Sequence, residues 1–356
     1  MTTPAPKPSQ KPFLTKSPPT TTKLPSKTPG KTNDRELYTG GKNDDCFKPS
    51  GHIDGQLKTP VKFKKVLKTE LKKTKYDMNE VLTKSILFYE AQRSGVLPET
   101  QNVLWRGDSG LHDGCDVGHD LTGGWYDAGD HVKFGLPMAW STTTLIWGMI
   151  NYRDAYKNAW IWPKALGQVK WTLDYFVKCH TDKHTLYVQV GDGEADHGFW
   201  GRAEEMTMAR PSFKIDPTNP GSEVAGETAA ALAAGSILFR ESNPELADLY
   251  LEHARDLFEL ANSYRASYNG AIPDIEDFYK SYGYQDEIAW AAAWIYRATK
   301  DPAWKSMAEN LYTEFGIQYT GNEFNWDSKK PGVIAVMAEA TGETVRKLTK
   351  IIYFIK

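Results

Sequence analysis

Helical punctuation and spacing dominate the sequence from Asp77 onwards, and this constrains the fold more than any other feature. Asp77 followed by Glu80 is a capping-box pattern. Asn243-Pro244 and Asp301-Pro302 each place a cap before a proline at the first helical position. Period-two alternation is scarce, and Leu186–Val190 is the best short strand candidate. The predicted helices are a run from Asp77 that stops before Gly95, then Pro137–Tyr156, Pro163–His180, Glu223–Arg240, Pro244–Tyr264, Asp286–Thr299 and Pro302–Phe315. The pattern predicts a mainly helical domain.

Two segments without these patterns precede the helical part. Residues 1–32 consist almost entirely of Thr, Pro, Lys and Ser, which cannot bury enough apolar surface to fold, so they are predicted to be a disordered linker. Residues 33–75 end in the lysine-dense run VKFKKVLKTELKKTK and are predicted to be a further linker or extension. The catalytic or binding domain is therefore expected over residues 76–356.

Charge and composition exclude several function classes. The formal net charge is −2 and the lysines concentrate in the first 75 residues, so a nucleic-acid partner is not expected. No apolar run is long enough to span a membrane, since a spanning helix needs about 20 residues. Twelve tryptophans and eighteen tyrosines suit either aromatic stacking on an uncharged ligand or a large helical core. The three cysteines have no metal spacing and define no disulfide framework.

The segment Trp105–Trp140 is the strongest candidate for a functional site. It is rich in Gly and Asp, which favour tight turns, and aromatic residues surround it. At its centre Asp127 and Asp130 stand three residues apart beside His131. A bare D-x-x-D is most often a solvated turn, but carboxylates in an aromatic cleft are typical of catalytic sites. The segment therefore predicts a catalytic loop.

Two long runs resemble glycoside hydrolase family 9, the inverting cellulases. The first is SGVLPETQNVLWRGDSGLHDGCDVGHDLTGGWYDAGDHVKFGLPMA, and the second is Tyr187–Phe239. The resemblance extends from about Tyr76 to the C-terminus. It implies an (α/α)6 toroid of helical hairpins, incomplete in this chain, and a secreted endo-β-1,4-glucanase that acts on cellulose or related β-glucans without an organic cofactor.

The resemblance also assigns roles to the two aspartates. In inverting hydrolysis one carboxylate activates water while a second carboxyl group ~6.5–9.5 Å away protonates the leaving oxygen. Asp127 and Asp130 are too close in sequence to be that pair, so both are predicted to act on the water. Asp130 is the predicted general base, and Asp127 holds the same water and raises a pKa of the pair by like-charge repulsion.

Further positions are predicted to contact the sugar. His197 and Trp200 match the family pattern D-H-x-x-W-G, in which an indole face stacks on a pyranose and an imidazole donates to a hydroxyl. The other predicted substrate contacts are His131, Tyr279, Tyr282 and Trp326. For each of these the alternative is packing in the core.

Three acids occupy positions where family members hold calcium. They are Asp286, Glu287 and Asp327, and hard oxygen ligands from separate loops are what calcium takes. The alternative is that Asp286 and Glu287 only complement a helix macrodipole. The run FYKSYGYQDE is shorter by one residue than the family pattern in our reading, so the loss of a ligand is also compatible with the sequence. Glu223 and Glu227 are interpreted as first-turn helix charges.

The resemblance sets two expectations about segments outside this domain. By the resemblance, the Pro/Thr-rich linker either joins a carbohydrate-binding module upstream in the full-length protein to this domain or is a plain disordered tail. Family members continue well beyond the segment that resembles Gly332–Lys356, and that part carries a His-Arg motif and the general-acid glutamate. The chain is accordingly expected to lack its general acid. The alternatives are an inactive carbohydrate-binding remnant and a hydrolase of another β-glucan.

Overall fold

The computed structural model describes residues 75–272, 275–319 and 323–342. The linker predicted over 1–32 and almost all of the extension predicted over 33–75 lie outside this part. In chain order the elements are α1 Met78–Ala91, β1 Lys133–Phe134, α2 Gly135–Asn151, α3 Arg153–Asn158, α4 Trp162–Cys179, β2 His180–Asp182, β3 Thr185–Val190, α5 Gly193–His197, β4 Ser212–Ile215, α6 Ser222–Phe239, α7 Pro244–Ser263, α8 Gln285–Thr299, α9 Pro302–Glu314 and α10 Lys330–Thr341. Across these ranges, none of the helices has the length and apolar character that crossing a membrane requires.

The longer helices form two layers. Helices α2, α6, α8 and α10 lie side by side as an inner layer, while α4, α7 and α9 pack against it from outside. Consecutive helices alternate between the layers from α4 to α10, as expected for a series of hairpins. The outer helix α7 shows why: its buried residues, which include Leu246, Tyr250 and Leu257, form one face, and charged residues such as Glu252 and Glu259 on the opposite face are exposed.

Helix α6 is the centre of the inner layer and is buried on every side. Small residues make this possible, because a Cβ at Gly226 would lie 2.8 Å from the backbone of Glu287 and one at Gly235 would lie 2.6 Å from Leu173. Helices α8 and α4 therefore approach its backbone closely. A side chain at either glycine would force these helices apart.

A four-stranded antiparallel sheet connects the two loops that carry the predicted site. Strand β3 is its centre and pairs with β1, β2 and β4. Lys133 of β1 lies opposite Val190 of β3. Because β1 directly follows Asp130 and β3 leads into α5 with His197, this pairing brings the aspartate loop and the His197 loop together.

Two parts of the secondary structure differ from the sequence prediction. The predicted helix Pro137–Tyr156 is two helices, because Tyr152 leaves helical geometry at φ −123° and ψ 33° between α2 and α3. Strand β3 was predicted, whereas β1, β2 and β4 were not. Each of these strands has two to four residues, too few for a period-two pattern.

The interpretation of Glu223 and Glu227 as first-turn helix charges is also corrected. They begin α6 but are not solvated first-turn charges, since both are completely buried. Two packed layers cover every face of α6, so its first turn reaches no water.

Candidate active site

The loop that holds Asp127 and Asp130 is fixed by its own backbone. The Asp127 amide donates to the Val132 carbonyl at 2.9 Å, and the Asp130 amide donates to the Asp127 carbonyl at 3.0 Å. Ala128 lies between the two acids at φ 34°, in the region that L residues seldom adopt. The turn holds the two carboxylates close to each other, and strand β1 anchors its end.

Asp130 has the environment of a base. Its Oδ1 accepts from the Val132 amide at 2.9 Å, and its Oδ2 lies 3.4 Å from Nε2 of His197. Burial raises the pKa of Asp130 to about 6, and the charge of Asp127 adds to that rise. The prediction named like-charge repulsion as the cause, but burial is the larger effect. A carboxylate with a pKa near neutrality accepts a proton more readily than an ordinary aspartate.

Asp127 is held by a phenol from another part of the chain. The Tyr279 hydroxyl donates to Asp127 Oδ2 at 2.5 Å. Burial raises the pKa of Asp127, while the bond from Tyr279 opposes that rise. Burial and this carboxylate also raise the pKa of Tyr279, so the phenol stays protonated and donates.

Aromatic walls form a cleft of about 290 Å³ beside Asp127. Tyr279 lies 4.9 Å from Phe134 and 5.1 Å from Trp326 between ring centroids. The complete lining is Phe88, Tyr89, Gln92, Trp125, Tyr126, Asp127, Ala128, Phe134, Pro137, Met138, Trp140, Ser141, Tyr279 and Trp326. Flat aromatic faces with few polar groups suit the apolar faces of a sugar ring.

A buried ionic cluster that sequence reasoning missed supports the loop from behind. Arg210 binds both oxygens of Asp113, at 2.6 and 3.0 Å, and also donates to the His131 carbonyl at 2.7 Å. Lys133 lies 2.7 Å from the same carboxylate and donates to the carbonyl of Leu121. Burial would raise the pKa of Asp113, but the two cations hold it below its usual value. The cluster ties the residue after Asp130 to a rigid core.

The structure places His131 behind the cleft. Its ring packs edge-on against Tyr126 and Phe199, and its Nδ1 lies 3.6 Å from Oδ2 of Asp196. The same carboxylate accepts from the His131 amide at 3.1 Å. His131 therefore bridges the aspartate loop and the α5 segment, which a short D-H pair in the sequence could not reveal.

The other predicted sugar contacts lie in and around the cleft. Tyr279 and Trp326 line it. His197 contacts Asp130, and Trp200 and Tyr282 extend into solvent. An aromatic ring that is wholly exposed makes no core contacts, so core packing does not account for these two positions.

The predicted calcium ligands separate into two groups. Asp286 Oδ2 accepts from the Lys329 amide at 2.6 Å, and Asp327 Oδ1 accepts from the Tyr282 amide at 3.1 Å. Burial raises the pKa of Asp327, and the charge of Asp286 contributes to the rise. Glu287 instead binds the ammonium of Lys329 at 3.0 Å.

The ammonium of Lys329 is completely buried and also lies 3.4 Å from Oε2 of Glu227. Burial raises the pKa of Glu227 and of Glu287, and Lys329 opposes both shifts. Within the described ranges, no group of three His, Cys, Asp or Glu side chains is arranged to hold a metal ion. Glu287 therefore serves an internal ion pair, while the charge of Asp286 acts on Asp327.

Comparison with known proteins agrees with this architecture. Glycosyl hydrolase family 9 matches residues 78–353. Endoglucanase 4 of Bacillus sp. (strain KSM-522) is 56% identical over 241 residues, which are 67% of this chain and 38% of the relative. Endoglucanase 16 of Oryza sativa subsp. japonica is 50% identical over 261 residues, 73% of this chain and 48% of the relative. The chain thus spans less than half the length of these relatives.

Solved structures show the same fold. The endoglucanase from the termite Nasutitermes takasagoensis superimposes with a TM-score of 0.76 at 53% identity, covering 78% of this chain and 64% of that one. The cellulase Cel9M of C. cellulolyticum in complex with cellobiose gives a TM-score of 0.69 at 35% identity, covering 77% and 64%. The predicted (α/α)6 architecture is confirmed by these neighbours. With its helical layers, its paired aspartates and a match over residues 78–353, the chain belongs to glycosyl hydrolase family 9.

Proposed function

We propose that this chain carries the base side of an inverting endo-β-1,4-glucanase that acts on cellulose. The observation that carries the proposal is Asp130, a partly buried carboxylate with a raised pKa, next to Asp127, which lines the aromatic cleft. Relatives named endoglucanase, and a cellulase structure with bound cellobiose, support the choice of substrate.

In the proposed mechanism, a glucan chain lies against the aromatic walls and a water molecule lies between Asp127 and Asp130. Asp130 accepts a proton from that water as it attacks the anomeric carbon. Asp127, oriented by Tyr279, accepts a hydrogen bond from the other hydrogen of this water. That hydrogen bond keeps a lone pair of the water oxygen directed at the anomeric carbon. His197 donates toward Asp130 and fixes its rotamer.

The leaving oxygen needs a proton from the opposite side of the sugar. Among the described residues that line the cleft, Asp127 is the one carboxylate, and most of the other lining side chains are aromatic. We therefore propose that the proton donor comes from outside the described residues. Glu339 does not supply it, because its exposed carboxylate binds Trp147, Asn151 and Arg297 and does not line the cleft. Glu343 lies outside the described ranges.

An activated substrate tests the proposal about the proton donor. A dinitrophenyl β-cellobioside has a leaving group that departs without protonation, whereas a sugar alkoxide depends on the acid. If the chain lacks the donor, it cleaves the aryl glycoside but releases little reducing sugar from carboxymethylcellulose. Equal efficiency on both substrates, relative to a complete family member, would contradict the proposal.

Asp130→Asn tests the base. The amide keeps the side-chain shape but cannot accept a proton, so turnover of the aryl glycoside should fall at least ~10²-fold, while binding of cello-oligosaccharides stays within a few fold. Asp248→Asn is the matched control, because Asp248 is an exposed partner of Arg240. Turnover of Asp130→Asn within tenfold of the parent would rule out Asp130 as the base.

The parent protein also distinguishes the alternative functions. Retention on cellulose without turnover would favour a binding remnant, and faster release of reducing sugar from a mixed-linkage glucan than from cellulose would favour another β-glucan as the substrate.

We also propose a structural calcium ion held by Asp286 and Asp327. A buried carboxylate, Asp286, whose charge raises the pKa of the partly buried Asp327 suits a divalent cation, and the hydroxyl of Ser281 and the carbonyl of Gly283 supply further oxygens nearby. The ion would stabilise the folded state, because the unfolded chain has no assembled site. Chelation should lower the melting temperature of the parent and leave that of Asp327→Asn unchanged. An absence of any chelator effect in the parent would exclude the ion.

We place the enzyme outside the cell, because its proposed substrate is an insoluble extracellular polymer. Activity that stays with the cells and is absent from the medium of the native host would contradict this location.

A further inference from the structure

Two tryptophans on neighbouring loops present their rings to solvent next to the catalytic loop. Trp200 is fully exposed and Trp105 is 66% exposed, and Leu104 beside it is 91% exposed. An exposed indole does not gain the free energy of removing its apolar surface from water, which is roughly 25 cal/mol for each Å². Neither ring has another ring within contact distance among the described aromatic pairs, so neither contributes to the aromatic core of the cleft.

The two loops are fastened together. Arg202, two residues after Trp200, donates from Nη2 to the Trp105 carbonyl at 2.5 Å. Glu204 accepts from the Gly107 amide at 2.6 Å and from Arg106 Nε at 3.1 Å. These contacts join residues 105–107 to residues 202–204, and Arg202 Nε also donates to Glu204 at 3.1 Å. The backbone of Trp105 is therefore held beside the segment that follows Trp200.

The same assembly is continuous with the catalytic residues. His197, three residues before Trp200, lies 3.4 Å from Asp130 Oδ2, and Phe199 packs edge-on against His131. A path thus leads from Asp130 to His197, along the chain past Trp200 to Arg202, and from Arg202 to the Trp105 carbonyl. The side chain of Arg202 is more than half exposed and can donate to a ligand.

We infer that Trp105 extends the cleft as a distal subsite, in which it and Trp200 stack on glucose units of a β-glucan chain far from the bond being cleaved. The inference rests on the proposed function, because the occupant is the substrate chain leaving the cleft beyond His197. An uncharged, repeating pyranose chain suits two exposed indoles on loops that an exposed guanidinium donor joins. The subsite is reached only by long oligosaccharides, so it selects for chain length.

The test uses Asp130→Asn as the background, so that binding is measured without hydrolysis. Affinities for cellotetraose and cellohexaose are measured by calorimetry in this background and with Trp105→Ala or Trp105→Phe added. Trp105→Ala should weaken cellohexaose binding roughly tenfold, the loss of one aromatic stacking contact, and leave cellotetraose within twofold. Trp105→Phe should recover part of the loss.

Trp160→Ala is the matched control, because Trp160 is also a highly exposed tryptophan, at 85%, and it lies in the turn after α3 at the far end of α2 from the aspartate loop. It should change neither affinity. Equal effects of Trp105→Ala on both oligosaccharides, or no effect on either, would overturn the subsite. Failure of the background variant to bind cellohexaose would also overturn it. Binding that depends on Trp105 in a parent without any hydrolysis would instead refute the proposed function and leave the subsite standing.

Discussion

At the residue scale, the two aspartates of the loop differ in their partners, and the difference decides their roles. Asp127 accepts a hydrogen bond from a phenol that stays protonated, whereas Asp130 faces an imidazole and one backbone amide. Burial raises the pKa of both carboxyls, and it raises the pKa of Asp130 to about 6. These environments support the proposal that Asp130 accepts the proton and Asp127 anchors the water.

The first prediction concerns the acidic limb of the pH profile. A base must be deprotonated, so kcat/KM for the aryl glycoside should fall as pH drops through about 6, the pKa of Asp130. The hydrogen bond to His197 lowers that pKa, so His197→Ala should move the limb to higher pH. The profile is measured from pH 4 to 8 in both proteins. A limb that stays near pH 4 in the parent would contradict the assignment.

The second prediction concerns Tyr279. Tyr279→Phe removes the hydrogen bond to Asp127, and a hydrogen bond to a charged group is worth about 1.5–3 kcal/mol. Turnover should fall roughly 10–100-fold if the bond orients the water in the transition state, with melting temperature nearly unchanged. Tyr312→Phe is the control, because the buried Tyr312 hydroxyl has no hydrogen-bond partner among the residues that the structure describes. Full activity in Tyr279→Phe would show that Asp127 needs no positioning.

At the element scale, the site depends on short strands. Strand β1 has two residues, yet its pairing with β3 sets the distance between Asp130 and His197. Gly135 follows β1 immediately, and a Cβ there would lie 2.6 Å from the Val188 carbonyl. The close approach of α2 to β3 thus requires glycine, and the start of an inner helix is fixed against the sheet.

Sequence reasoning found the long elements because their signals are local. The side chains of Asp77, Asn243 and Asp301 cap α1, α7 and α9 as their patterns predict. It missed the partners of the site, because Arg210 meets Asp113 across 97 residues. In the sequence, a buried Lys or Arg shows only as a charged residue near apolar ones, such as Lys133 in His131–Phe134, and its buried Asp partner cannot be identified. The proximity of distant loops depends on which strands pair. Strands of two to four residues are too short to carry a sequence pattern that predicts their partners.

The third prediction tests the cluster behind the loop. Arg210→Lys loses the two-point contact with Asp113 and the bond to the His131 carbonyl, since lysine has one compact ammonium. Breaking a buried ion pair lowers the free energy of unfolding by about 3–5 kcal/mol. Because lysine retains the positive charge, the loss should lie at the lower end of this range. Arg240→Lys is the control, because its pair with Asp248 is exposed. Denaturant unfolding measures both, and an equal effect of the two variants would remove any special role for Arg210.

At the scale of the whole molecule, the inner helices share one buried charge. Lys329 precedes α10 and binds Glu287 of α8 and Glu227 of α6, and Glu227 also accepts from Thr143 of α2 at 2.8 Å. One network therefore connects four inner helices. Burial alone would lower the pKa of Lys329, but the carboxylates of Glu287 and Glu227 raise it, so the ammonium keeps its charge.

The last prediction removes that charge. Lys329→Met keeps the aliphatic length but leaves Glu227 and Glu287 without their cation, and breaking a buried pair costs about 3–5 kcal/mol. The effect depends on pH in a defined direction. Without Lys329 the pKa values of both glutamates rise further above their unfolded value of about 4.5. The folded variant then holds more protons than the unfolded chain, so its stability falls as pH rises above about 4.5.

The free energy of unfolding of Lys329→Met should therefore lie slightly below that of the parent near pH 4.5 and furthest below it near neutrality. At neutral pH, folding of the variant must bury two negative charges. Lys305→Met is the matched control, because the Lys305–Glu309 pair on α9 lies at the surface at 3.6 Å, and such pairs contribute little. Urea unfolding of the three proteins at pH 5 and pH 7.5 measures the difference. A deficit that is the same at both pH values would mean that Lys329 acts through packing alone, and the inner helices would then not depend on its charge.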